Sequence, residues 1–416
     1  MTEKTSHPVC NCQVCNSAKL ESVLFVGFIP PVNTMPKMGS LPVEAPAYPL
    51  EMLRCIDCGL VQIGLEVSQE ILFPESYPYL SGSTRILRSN FANLKSEAVE
   101  LLGLAKDKLV IDIGSNDGTL LSNFHDDGYP SLGIEPSQAA DVAVARGIDT
   151  LKTYFNRDIA SQVVADRGKA QLVTAANVFA HIGDIHSVVD GIVELLGPGG
   201  VFVSESHYLL DLVETIQYDT IYHEHLRYYH LGSLINLLKG HDLEVFHVQR
   251  IPTHGGSIRV YASRKGERAV LPSVASLLAE ERVKGLEDGS GLKDFRQRVI
   301  RSKLDLYALL APLKRAGARI YGVGAPSRAS TLINYIGLDE GILDCVLEVS
   351  GSHKLNKYIP GTRIPVVDEK KLLEDQPEYA LLLSWHIADE IAINLRRSGF
   401  KGKFITPLPV PKLMDC

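Results

Sequence analysis

The sequence predicts an α/β protein of three regions, and three observations predict it. Two Cys-x-x-Cys pairs sit within the first 58 residues, and an apolar strand running through a glycine turn toward a helix occurs twice, at Asp112 and at Gly322. A strand, glycine turn and helix open a doubly wound sheet, so two of them imply two Rossmann-like units. At 416 residues, with 45% hydrophobic and 22% charged residues, the chain is long enough for several cores. The expected divisions are a cysteine module over 1–75, a first α/β domain over 76–270, a helical bridge over 271–315 and a second α/β domain over 316–416.

Cys12-Gln-Val-Cys15 and Cys55-Ile-Asp-Cys58 are separated by 39 residues. Each pair can fold as a knuckle presenting two thiolates, and four thiolates close a tetrahedral structural Zn²⁺ site. Turn formers follow both pairs, Asn16-Ser17 and Gly59. Five of the seven cysteines cluster here, which in a reducing compartment favours metal over disulfides and leaves Cys345 and Cys416 as bystanders. Cys10 competes as a ligand, but Cys12 has the knuckle spacing. The Pro-rich stretch between the pairs lacks a helical pattern, so metal is expected to hold the module together. With four Lys/Arg against eight Asp/Glu over residues 1–75, the module reads as a scaffold or lid. The whole-chain charge of −7 disfavours nucleic acid as a partner. No run of ~18 apolar residues appears and Met1-Thr2-Glu3-Lys4 does not open a signal peptide, so the expected address is the cytoplasm, without a membrane.

Leu109-Val-Ile-Asp112-Ile-Gly114-Ser-Asn116-Asp-Gly118 departs from the dinucleotide pattern G-x-G-x-x-G. It resembles motif I of class I S-adenosylmethionine-dependent methyltransferases, which implies that Asp112, Gly114, Asn116 and Gly118 border the cofactor. A second strand ending at Ile134 places Glu135 to accept both ribose hydroxyls. Leu172 to Asn177 reads as the fourth strand, with His181 just beyond it, and Leu195-Leu-Gly-Pro-Gly-Gly200 reads as the turn into a fifth.

Beyond Glu205 the chain concentrates titratable and aromatic groups: His207, Tyr208, Tyr218, Tyr222, His223, Glu224, His225, Tyr228, Tyr229 and His230. The spacing His223-Glu224-His225 is not the H-E-x-x-H of zinc peptidases, whose histidines share one helical face. Together with the four cysteines, the Asp112–Gly118 loop, Asn177 to His181 and His254-Gly-Gly-Ser257-Ile-Arg259, this segment resembles the deoxysugar C-methyltransferase family along nearly the entire chain. The resemblance implies a zinc-binding domain, a methyltransferase core that also uses Asn177 at the cofactor, and a C-terminal domain that helps hold a nucleotide. It implies methylation of a ring carbon beside the ketone of a nucleoside-diphosphate sugar, most simply C-3 of a thymidine-diphosphate 4-keto deoxysugar. His225 is then the base, with Glu224 orienting it or binding a sugar hydroxyl. His181, Tyr222 and either Tyr77 or Tyr79 are then donors to the enolate oxygen.

Val260-Tyr-Ala-Ser is expected to close the methyltransferase sheet, with Ser257 and Arg259 as substrate contacts. In the last third, Gly322-Val-Gly324-Ala-Pro326-Ser327-Arg328 leads into a helix whose amides can receive a pyrophosphate, with Arg328 and Lys354 adding charge. An oxygen- or nitrogen-directed methyltransferase, a nicotinamide-dependent oxidoreductase and a non-catalytic zinc scaffold are the competing readings.

Overall fold

In the computed structural model, residues 5–73 and 80–414 are described. The central domain is a seven-stranded sheet in the order 243–251, 257–264, 196–207, 170–176, 110–113, 131–134, 150–151. Its last five strands in that order run parallel; strand Ser257–Arg264 is antiparallel to both of its neighbours. The parallel strands are apolar on both faces because helices cover both: Ile111, Val173, Ala175 and Phe202 are buried. This is the class I methyltransferase core expected from the sequence. One detail differs: Gly197-Pro-Gly-Gly200 is no turn but the irregular start of strand Leu196–His207, where the register with its neighbour shifts. Its glycines let two backbones meet, since a Cβ on Gly200 would lie 2.9 Å from the Gly197 carbonyl oxygen.

The N-terminal region corrects an expectation. Between the cysteine pairs lie two paired strands, Leu20–Ile29 and Tyr48–Cys55, followed by Val61–Ile63. Val23, Leu24, Val26, Leu50 and Met52 are buried and join the main hydrophobic core, so apolar burial contributes alongside metal. The fourth strand of this sheet, Arg227–Tyr228, comes from the central domain and pairs with Val61 and Gln62.

Helices Pro272–Val283 and Ser290–Arg315 lead to the C-terminal sheet. Its order is 357–358, 365–368, 345–348, 320–323, 379–382, 403–406, 412–413, with the five central strands parallel and the two edges antiparallel. Among the described residues no helix is long and apolar enough to cross a membrane.

Candidate active site and metal centre

The two knuckles bring Cys12, Cys15, Cys55 and Cys58 together, with all four sulfurs within 4.8 Å of one another. Cys12 and Cys58 sulfurs are 3.4 Å apart and those of Cys15 and Cys55 are 3.5 Å apart. Four sulfurs at ~2.3 Å from a tetrahedral Zn²⁺ stand ~3.8 Å apart, so the donor set fits the ion. The amides of Val14 and Cys15 point at the Cys12 sulfur, and Gly59 takes the φ of +75° that closes the second knuckle. Hydrogen bonding from Cys58 lowers the Cys12 thiol to about 5, whereas burial pushes Cys15 up to about 11. Four thiolates this close therefore need a cation to ionise together.

At the cofactor loop, Gly114 has φ +70°, and a Cβ there would stand 2.5 Å from Val178 Cγ2. Asn116 and Gly118 also hold positive φ, turning the chain back beneath the strand ends. Glu135 accepts the amides of Asn116 at 3.0 Å and Ser137 at 2.8 Å, one on each oxygen, which leaves each oxygen a second lone pair for a ribose hydroxyl. Asp112 is enclosed beneath the loop and accepts the Thr174 hydroxyl at 2.6 Å; burial raises its carboxyl to about 7. Asn177 stands at φ +60° with its side chain toward the Glu205 carboxylate, which it helps to keep ionised, but among the described residues neither its amide oxygen nor its nitrogen makes a hydrogen bond of good geometry. A buried amide left open at the carboxyl end of a strand suits a cofactor edge.

Val178, packed against Gly114, begins the turn to His181, and His181 leads to the imidazole cluster. The His181 and His225 ring centres are 4.9 Å apart, His207 lies 5.1 Å from His225, and His254 stacks on His207 at 5.6 Å. Tyr222 lies closest to His225, at 4.1 Å between ring centres. His225 Nδ1 is 2.8 Å from the Thr220 carbonyl oxygen. A carbonyl only accepts, so Nδ1 carries the proton and Nε2 of the neutral ring keeps its lone pair. Burial, followed by the neighbouring His181, lowers His225 to about 3, and burial lowers His181 to about 4. The cluster is uncharged at neutral pH. His181 Nδ1 is buried without a hydrogen-bond partner among the described residues. Glu224 is bound by Asn33 Nδ2 at 2.6 Å and has Lys354 as a charged neighbour, so all three regions meet at this residue. Tyr77 and Tyr79 lie outside the described residues; the flank at Phe73 sits 6.1 Å from the His181 ring, and the Ser81 amide binds Asn116 Oδ1.

The sequence is 32% identical over 414 residues to the C-methyltransferase NovU of Streptomyces niveus, with 98% of each chain covered. The chain belongs to this C-methyltransferase family. The C-methyltransferase C-terminal domain pattern matches residues 252–409, a methyltransferase domain matches 87–248 and a zinc binding domain matches 12–73. Among solved structures, magnesium protoporphyrin IX methyltransferase from Synechocystis PCC 6803 is 15% identical, with 43% of this chain and 82% of that chain covered and a TM-score of 0.33. The PH0226 protein of Pyrococcus horikoshii OT3 is 13% identical, with 45% and 95% covered and a TM-score of 0.35. The chain is thus an S-adenosylmethionine-dependent C-methyltransferase with a zinc-binding domain.

Four expected substrate contacts of the C-methyltransferase already have partners within the protein. Arg259 is fully buried, and its five N–H donors go to Glu205 (twice), Asn90, Asn93 and Glu97, leaving none for a ligand. Ser257 is equally enclosed and donates to the Thr253 carbonyl. Arg328 is bound through Nε and Nη2 to Asp219 at 2.7 Å each. Lys354 donates to the Ala325 carbonyl at 2.6 Å, and the Ala325 amide is taken by Glu348. A carboxylate already on that loop amide argues against a pyrophosphate there. Instead, a cavity of about 470 Å³ opens between the central and C-terminal domains, lined by Gln217, Arg250, Gly255, Gly256, Trp385 and His386. His254, beside Gly255, joins this cavity to the imidazoles. Sequence reasoning gave no role to His207, His254 or Asp219. The only signals were their place in a polar, aromatic run and, for His254, the two glycines that follow.

Proposed function

We propose that the chain methylates carbon next to the ketone of a nucleoside-diphosphate-linked 4-keto deoxysugar, with thymidine diphosphate as the carrier, C-3 as the carbon and His225 as the base. One observation carries this reading: an uncharged imidazole, fixed with Nε2 as its open nitrogen, stands in a buried aromatic cluster joined to the cofactor loop through Val178 and His181.

Carbon alkylation needs a carbanion equivalent, and a proton beside a ketone is removable when the enolate oxygen is stabilised as the base takes it. Bound S-adenosylmethionine supplies an electrophilic methyl on sulfur. Loop 114–118, Glu135 and Asn177 hold it, and Nε2 of His225 takes the proton from the sugar carbon. Burial makes a lone imidazolium unfavourable here, but an imidazolium formed beside an enolate is half of an ion pair, which offsets that penalty. Tyr222 and His181 polarise the carbonyl in this reading, which their ring centres at 4.1 and 4.9 Å from that of His225 support. Glu224, held by Asn33, receives a sugar hydroxyl. The interdomain cavity receives the nucleotide, where Trp385 and Arg250 offer a ring face and a cation.

The test is mass spectrometry of thymidine-diphosphate 4-keto sugars incubated with enzyme and S-adenosylmethionine. A 14-dalton gain on the hexose fragment, with deuterium entering the adjacent carbon of unmethylated sugar in heavy water, is expected. Methyl gain on an oxygen, with no exchange at carbon, sinks the reading.

A further inference from the structure

Among the described residues His225 has no carboxylate partner; its Nδ1 rests on a backbone carbonyl, so whatever holds that carbonyl aims the imidazole. Thr220 closes the single-turn helix Tyr218–Thr220, and the C-terminal domain grips this turn. Arg328, in the first turn of helix Ser327–Ile336, binds both Asp219 oxygens at 2.7 Å. Trp385 Nε1 donates to the same carboxylate at 2.8 Å, and Thr331 Oγ1 donates to the Ile221 carbonyl at 3.1 Å. Thr220 is therefore fixed on both sides, at 219 and at 221. Asp219 is fully buried, and the Arg328 guanidinium lies 5.0 Å over the Trp385 ring.

We propose that Arg328 and Asp219 are a positioning pair that sets the orientation and tautomer of His225 through the Thr220 carbonyl, making the C-terminal domain a working part of the proton-transfer machinery. A planar fork on a carboxylate fixes direction as well as distance, which a lysine does not. A buried ion pair adds little net stability over apolar packing, so its use here points to geometry. The Arg328 cation also disfavours protonation of His207, His225, His254 and His386, keeping the cluster neutral until substrate arrives.

The inference rests on His225 being the base. Its test uses the full-length, zinc-loaded enzyme with S-adenosylhomocysteine bound and thymidine-diphosphate 4-keto-6-deoxyglucose as probe in deuterated water, so that exchange at carbon is read without methyl transfer. Asp219→Asn keeps the side-chain shape; it is expected to slow exchange by about 10²-fold and to shift the Nδ1–H signal of ¹⁵N-labelled His225, with cofactor affinity unchanged. That signal is identified by its loss in His225→Gln. Arg328→Lys, which keeps the charge without the fork, is expected to lose exchange likewise. Undiminished exchange in Asp219→Asn beside an inactive His225→Gln overturns the pair and leaves the base standing. Undiminished exchange in His225→Gln overturns both. Loss of exchange in step with loss of cofactor binding, with the His225 signal unmoved, marks the pair as a structural tie only and also overturns the proposal.

Discussion

At the level of single residues, the fully buried Arg259–Glu205 pair and His225 separate stability from chemistry. Arg259→Met leaves Glu205 as an unpaired charge in the sheet, where burial already raises its carboxyl. Breaking such a pair costs about 3–5 kcal/mol, which denaturant unfolding will show as a lower midpoint with the same slope. His225→Ala touches no cofactor residue, so methyl transfer should fall by about 10²–10⁴-fold while calorimetry finds S-adenosylmethionine binding intact. Full activity in that variant removes the imidazole from the role. The sequence distinguished these two poorly. Arg259 stood beside a double glycine and looked available, yet a saturated guanidinium and an open one have the same one-letter code. What differs is a helix more than 160 residues away that supplies Asn90, Asn93 and Glu97.

Among elements, the cofactor loop was the most legible, because its constraints are local. Gly114, Asn116 and Gly118 hold positive φ, and the strand before them is short and uniformly buried. Gly114→Ala puts a methyl into Val178 at a φ that alanine resists, so cofactor affinity should drop at least ~10-fold, measurable by calorimetry. An unchanged affinity shows that the turn can yield. The metal knuckles were legible for the same reason, since spacing alone specifies them. The glycine loop at 322–324 has the form of an anion site, but its Ala325 amide is held by a partner distant in sequence, Glu348, which the loop's own residues do not announce. The N-terminal strands were missed because irregularities in their pairing break the two-residue period over 20–29 and a Pro-rich stretch separates them from 48–55.

For the whole molecule, acid acts on buried imidazoles. His181, His223 and His386 are each lowered to about 4 and His225 to about 3, chiefly by burial. Below pH ~6.5 the unfolded chain binds protons that the folded one refuses, so the stability these groups contribute is present above that pH and lost as pH falls toward 4. Asp112, raised to about 7, and Glu205 and Asp211, also raised by burial, oppose this, but the four strongly lowered imidazoles outnumber them. Unfolding at pH 7 and pH 5 should therefore show lower stability at pH 5, and the reverse order contradicts the neutral cluster. Metal removal has a different reach. The second knuckle feeds directly into Val61–Ile63, which pairs with Arg227–Tyr228, while the Cys58 and Gly59 carbonyls receive Asn236 Nδ2 and His230 Nε2. Stripping zinc with a chelator is expected to abolish methyl transfer before it weakens cofactor binding, because among the described residues the hydrogen bonds of strand 110–113 and Glu135 go to partners other than the knuckles; equal loss of both would refute that separation.

The strand lent by residues 227 and 228 also dictates an order of assembly. A nascent chain that has released its first 75 residues still lacks one edge of its first sheet, and that edge stays open until some 150 more residues have emerged. Completion of the amino-terminal sheet and placement of His225, two positions upstream, are thus a single late event, and the amino-terminal region cannot be excised as a self-standing piece without losing an edge of its sheet.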